Sequence, residues 1–243
     1  MKSFYRINTC FFLLLAGYFS FAQTGTGGWN VVTFKLNLNK KWSLFSEAQL
    51  RSQRFYDDFS YYEMKGGAAY SFQKKYSVLA GFGRFVSYSN GDNFKKPFVN
   101  KEWRLWEQFL VNNYPGRLKV ENRLRVEQRW TTSLGYRNRL KYRLNMVLPL
   151  TDKKIKPGTL YISGWDEIYL TNADPHFELN RIYAGAGYEL SRHLTVQTGY
   201  LYQVNYKPDD TYSGKHYLQV TLIIEADAYK EHHDREKTNS VAD

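Results

Sequence analysis

The chain has 243 residues, a formal charge of +11 and 18 % aromatic residues, and its length suits one domain. Its mean hydropathy is −0.58, so no window past the leader described below is apolar enough for a membrane-crossing helix. The one cysteine, Cys10, falls within that leader, which leaves the exported chain with neither a disulfide framework nor a thiolate metal site.

The first residues read as an export signal. Lys2 and Arg6 form a basic n-region, Phe11 to Phe21 an apolar h-region, and Ser20-Phe21-Ala22 a small-x-small cleavage site. Residues 1–22 are therefore expected to be a signal peptide cut after Ala22. Cys10 precedes the h-region and so does not sit where an acylated lipoprotein cysteine would. A basic chain raises the question of nucleic acid. The leader exports this chain, and its basic residues alternate along strand-like segments instead of forming one helix or tail, so no nucleic-acid partner is expected.

Strand-like segments then follow at short intervals, divided by turn residues. In Trp29 to Leu38, Val32, Phe34 and Leu36 oppose Thr33, Lys35 and Asn37. In Trp42 to Phe55, Trp42, Leu44, Ala48 and Leu50 oppose Glu47, Gln49, Arg51 and Gln53. Tyr61 to Phe72 and Tyr76 to Tyr88 carry Gly67, Ala69, Gly81 and Gly83, which leave room for large side chains nearby or let a strand bend. A polar loop, Ser89 to Asn100, leads to Glu102 to Asn113, and Pro115-Gly116 turns the chain into its most informative stretch.

From Lys119 to Trp130, period two sorts Lys119, Glu121, Arg123, Arg125, Glu127 and Arg129 onto one face. Val120, Leu124, Val126 and Trp130 fall on the other, with Asn122 and Gln128 among them. A helix would scatter these charges; a strand separates them. Tyr136 to Leu150 repeats the pattern, with Arg137, Arg139, Lys141 and Arg143 opposing Leu140, Tyr142, Leu144 and Met146. Thr159 to Leu170, Leu179 to Leu190, Leu194 to Tyr206 and His216 to Glu225 complete the series.

Two architectures accept this alternation. A soluble β-sandwich would turn the charges to water, but its strands are usually shorter and would not need so many Tyr and Trp near their ends. A membrane barrel turns the charges into its lumen and the apolar stripe to lipid. The expectation is an all-β fold, a transmembrane antiparallel up-and-down β-barrel over residues 23–228 with a polar tail at 229–243. Eleven segments can be delineated, while single-chain bacterial barrels normally hold an even number. Ten or twelve strands are therefore expected, with an extra strand near Gln23 to Gly28 or one segment outside the barrel. Short connections (39–41, 73–75, 115–116, 191–193) alternate with longer ones (89–100, 171–176, 207–214), with 151–158 as an exception. That alternation suits short periplasmic turns and longer external loops.

Several short motifs bear a family resemblance: Arg104-Leu-Trp-Glu-Gln108, Asn122-Arg-Leu-Arg-Val-Glu-Gln-Arg129, Arg139-Leu-Lys-Tyr-Arg-Leu144 with Pro149-Leu150, Asp166-Glu-Ile168, Asn180-Arg-Ile-Tyr-Ala-Gly-Ala-Gly-Tyr188 and Gly199-Tyr200. In this order and spacing the chain resembles the bacterial domain-of-unknown-function 2490 family, grouped with outer-membrane β-barrels. The resemblance covers essentially the whole exported chain. It implies a barrel in the cell envelope and carries over no catalytic residue and no cofactor.

Catalytic patterns are sparse. His216, near Ser213, Asp209 and Asp210, is the one conceivable nucleophile–base grouping for a lipid hydrolase. His232-His233 lie in a charged tail and suit solvated sequence better than a metal. Adjacent Asp166 and Glu167 point to opposite faces of a strand, so Glu167 is expected inside and Asp166 near a rim. No phosphate loop, zinc spacing or calcium loop occurs. No catalytic, metal or cofactor site is assigned.

The inward charges carry the functional reading. The candidate lumen network is Glu47, Arg51, Glu63, Arg104, Glu121, Arg123, Arg125, Glu127, Arg129, Arg137, Arg139, Arg143, Glu167 and Arg181. With Lys35, Lys65, Lys119, Lys141 and Glu102 added, thirteen bases face six acids, a surplus of seven. Buried charges must pair. The chain is expected to be a structural or interaction barrel of the Gram-negative outer membrane with an Arg/Glu-lined lumen. The alternatives are a narrow anion-preferring pore and, third, an outer-membrane lipid hydrolase. Expected partners are outer-membrane lipid, the barrel-assembly machinery acting on His216 to Ile224 during biogenesis, and an unidentified envelope protein.

Overall fold

The computed structural model describes residues 25–229 apart from 92 and 96. The expected leader, the tail beyond Tyr229 and His232-His233 lie outside the described residues. Among the described residues there are eleven strands: β1 (Thr26–Asn37), β2 (Trp42–Arg54), β3 (Asp57–Gln73), β4 (Tyr76–Tyr88), β5 (Phe98–Asn113), β6 (Lys119–Thr131), β7 (Gly135–Pro149), β8 (Leu160–Thr171), β9 (Phe177–Ser191), β10 (Leu194–Tyr206) and β11 (Tyr212–Asp227). Each strand pairs antiparallel with its neighbour in sequence, and the sheet closes on itself.

All eleven segments read from the sequence are strands of one barrel, and among the described residues no further strand precedes Thr26. The parity expectation fails for a definite reason. β1 and β11 pair in parallel, in unbroken register from Thr26↔His216 to Asn37↔Asp227. An all-antiparallel ring must be even; one parallel seam permits an odd count. It also places the start of β1 and the end of β11 at opposite ends of the barrel.

Connections 38–41, 74–75, 114–118, 150–159 and 192–193 share one end, and 55–56, 89–97, 132–134, 172–176 and 207–211 share the other. Loop length marks the two ends only partly, because the longest connection, 150–159, lies among the short turns and 55–56 shares an end with the longer loops. The 150–159 connection is tied down. Arg117 Nη2 donates to the carbonyls of Pro149 (2.6 Å), Leu150 (3.1 Å) and Asp152 (2.7 Å). Lys156 pairs with the Asp152 carboxylate at 2.5 Å and, with the Lys153 N–H, holds that carboxyl below its ordinary range.

The wall is two-sided because successive side chains alternate across a strand. Outward positions expose Val32, Phe34, Leu44, Met64, Phe82, Leu105, Leu124, Leu140, Ile162 and Ile182. Exposed aromatic contacts occur near both ends, Trp42–Tyr70, Phe72–Tyr76 and Tyr76–Phe109 near the 38–41 end and Trp130–Tyr136 and Phe177–Tyr206 near the other, while exposed Phe82, Tyr142 and Tyr200 lie mid-strand.

The lumen is the core, and it is packed. One apolar cluster joins Trp29, Val31, Trp165, Tyr183, Leu201 and Tyr217, and a second joins Phe45, Leu79, Phe85 and Trp106. Small residues in the wall admit these rings. A Cβ on Gly81 would lie 2.3 Å from Trp106, and one on Gly187 2.1 Å from Tyr161. The glycines on β3 and β4 therefore make space for lumen side chains, as one of the two sequence readings had it.

Candidate functional site: the charged lumen

The charges on β5 to β8 face one another in rows set by strand register. Arg104 is opposite Arg129, and Arg129 opposite Arg137. Further along, Arg125 is opposite Lys141 and Arg123 opposite Arg143. Like charges directly opposite repel, so neutralisation must come from other rows and strands.

Two glutamates do most of it. Glu127 accepts from Arg139 at 2.5 Å and lies 3.6 Å from Lys141, 3.6 Å from Arg125 and 3.9 Å from Arg104. Glu167 accepts from Arg123 at 2.6 Å and Arg143 at 3.0 Å, from the Tyr169 hydroxyl, and lies 3.4 Å from Lys141. Lys141 Nζ thus bridges the two carboxylates. Towards the 132–134 end, Glu102 holds Arg104 (2.7 Å) and Arg129, while Glu178 holds Arg129 (3.0 Å) and Arg139 (3.4 Å). Several guanidiniums also lie over aromatic rings, Arg143 on Trp165 at 4.2 Å and Arg104 on Phe85 at 3.7 Å.

Smaller groups serve the rest of the wall. Lys65 bridges Glu47 (2.7 Å) and Glu63 (2.8 Å), and Glu63 also takes Arg51 at 3.0 Å. Lys119 pairs with Glu121 at 3.1 Å. Arg181 has no carboxylate partner among the described residues; it donates to Gln203 (2.8 Å) and the Tyr169 hydroxyl (2.5 Å) and shares the Trp29 ring with Arg51. Arg137 is half-buried and makes no ion pair among the described residues.

Three inward carboxylates were not in the candidate set: Glu178, Glu189 and Glu225. Glu189 is buried and receives Thr195, and Glu225 lies 4.0 Å from Lys35. Against the thirteen bases they cut the surplus from seven to four. Glu189 and Glu225 follow the same period-two rule as their neighbours and could have been found by it. Glu178 could not, because a bulge at Tyr169/Leu170 shifts the register beside it.

The adjacent carboxylates divide as a strand requires. Glu167 is fully buried inside. Asp166 is not near a rim; it faces outward from the middle of β8 and accepts from Asn180 Nδ2 at 2.6 Å. His216 also faces outward, bonded to the Tyr200 hydroxyl and stacked on Tyr202 at 4.7 Å. Asp209, in the 207–211 loop, accepts from the Thr211 hydroxyl at 2.6 Å, and Ser213 lies in β11.

What this interior can do is set by how full it is. Trp29, Trp106, Arg123, Glu127, Glu167 and Tyr169 are each at most 2 % exposed, so water has no access beside them. These residues come from β1, β5, β6 and β8, and the remaining strands add buried inward side chains of their own. The chemistry on offer is mutual neutralisation of charge inside a closed wall.

The model of a protein family of unknown function, DUF2490, matches residues 26–213. Comparisons with curated proteins and with solved structures gave no match. The matched span runs from the first strand into the last, and the chain belongs to the DUF2490 family.

Proposed function

We propose that this protein is an integral outer-membrane β-barrel with a structural or interaction role, its lumen closed by its own side chains and its contacts made by loops and outer wall. The observation that carries the reading is the inverted distribution of polarity. Large apolar side chains crowd the outside, while arginine, lysine and glutamate fill the inside. A largely apolar exterior of this kind is costly in water and suits lipid. The aromatic contacts towards both ends fit the two interfaces of a bilayer. Export through the leader and insertion by the barrel-assembly machinery complete the proposal, with β11 as the recognised strand.

A conducting, anion-preferring pore is the second reading, favoured by the basic surplus and opposed by the buried lumen. A lipid hydrolase needs a nucleophile on His216, whose ring nitrogen is engaged by Tyr200.

The test is expression with the leader in a Gram-negative host, followed by fractionation and planar-bilayer recording. The proposal expects recovery with outer membranes, extraction only by detergent, a heat-modifiable band on gels, and no stable conductance. A stable, detergent-free soluble monomer contradicts the membrane assignment, and reproducible anion-selective steps contradict the closed lumen.

A further inference from the structure

The outer faces of β4 and β5 carry opposite charges on an otherwise apolar surface. Glu107 faces outward near the middle of β5, opposite Ala80 in register, and Arg84 faces outward on β4, opposite Trp103. They do not pair with each other. Arg84 lies 5.6 Å from the Trp103 ring centroid, and Glu107 accepts an amide N–H from Gln128 at 3.1 Å. Neither makes an ion pair among the described residues.

The same face is indented. A depression of about 500 Å³ lies among Ala68, Ala80, Val78, Phe109, Leu124 and Glu107. On the same face Met64 and Phe82 stand out, 66 % and 52 % exposed. One patch thus holds a cation, an anion, a hollow and projecting side chains. An isologous interface needs this self-complementarity, because whatever one copy offers the other must receive.

We propose that this β3–β6 face is the interface of a homodimer, its two-fold axis running along the barrel beside Phe82 and Leu105. Arg84 of each protomer then meets Glu107 of the partner subunit, making two symmetric ion pairs and seating a projecting side chain in each hollow. The charges decide for a second copy over lipid, since an anionic headgroup that suits Arg84 is repelled by Glu107. The inference rests on the membrane reading, in which an unpaired charge facing lipid is costly.

The experiment is a charge swap on detergent-extracted, full-length protein, with oligomeric state read by light scattering. Glu107→Arg and Arg84→Glu singly place like charges across the axis and are expected to weaken the dimer at least ~10-fold; the double variant restores it. In a Cys10→Ser background, Leu105→Cys should form a disulfide-linked dimer in intact membranes with both native charges present. Heat modifiability confirms that each variant is a folded barrel. A monomeric wild type without cross-linking, single variants that stay dimeric, or a double variant that stays monomeric overturns the proposal. Failure of the membrane reading shows separately, as protein that needs no detergent.

Discussion

The two halves of the lumen solve one problem differently. On β5 to β8 the interior is ionic, with six bases arranged around Glu127 and Glu167. On β1, β9, β10 and β11 an aromatic and aliphatic cluster holds Trp29, Tyr183, Leu201 and Tyr217 in contact, with fewer charges beside it (Lys35, Arg181, Glu189 and Glu225). Both halves bury their central side chains, Glu127 and Glu167 in one and Trp29 and Leu201 in the other. The aromatic half gains from burial itself, since each large ring removed from water is worth a few kcal/mol. The ionic half begins from a desolvation deficit and recovers it only while each carboxylate stays in place.

That contrast can be broken at its hubs. Glu167→Gln leaves Arg123, Arg143 and Lys141 around a neutral amide and is expected to cost about 3–5 kcal/mol. Reversible urea unfolding in micelles should register it as the largest fall in midpoint. The apolar side answers to volume. Gly81→Val drives side-chain atoms into Trp106, which a Cβ alone would already approach to 2.3 Å, and should cost about 1–3 kcal/mol in the same assay. Arg137→Gln removes a base that has no ion pair among the described residues, so a change within about 0.5 kcal/mol is expected. A loss as large as that of Glu167→Gln would mean that pairing does not govern the ionic half.

Much of this was legible in period two. On β6 the rule placed every charge inside, and on β8 it sent Glu167 in and Asp166 out. The same rule turns Trp29, Trp106 and Trp165 inward, although the sequence reading used the Tyr and Trp near strand ends only as a sign of a membrane wall. The bulge beside Leu170 hid Glu178, because a register shift leaves no mark in local periodicity. Strand parity was also out of reach. Whether the first strand meets the last in parallel is a pairing between residues 190 apart, such as Thr26 and His216, which no local pattern encodes. Asp166 was expected near a rim because a carboxylate facing lipid is costly; it stays mid-strand, where Asn180 Nδ2 donates to it at 2.6 Å.

The central claim is a wall with lipid on one side and a dry ionic interior on the other. Spin labels placed singly from residue 123 to 130 on β6 test it most directly, with accessibility to oxygen and to a water-soluble nickel complex measured in proteoliposomes. Labels at 124, 126 and 130 should collide with oxygen and be shielded from nickel, while labels at 123, 125, 127 and 129 should be shielded from both. Nickel access at 124 and 126 would contradict the lipid-facing wall, and nickel access at 125 and 127 would contradict the filled lumen.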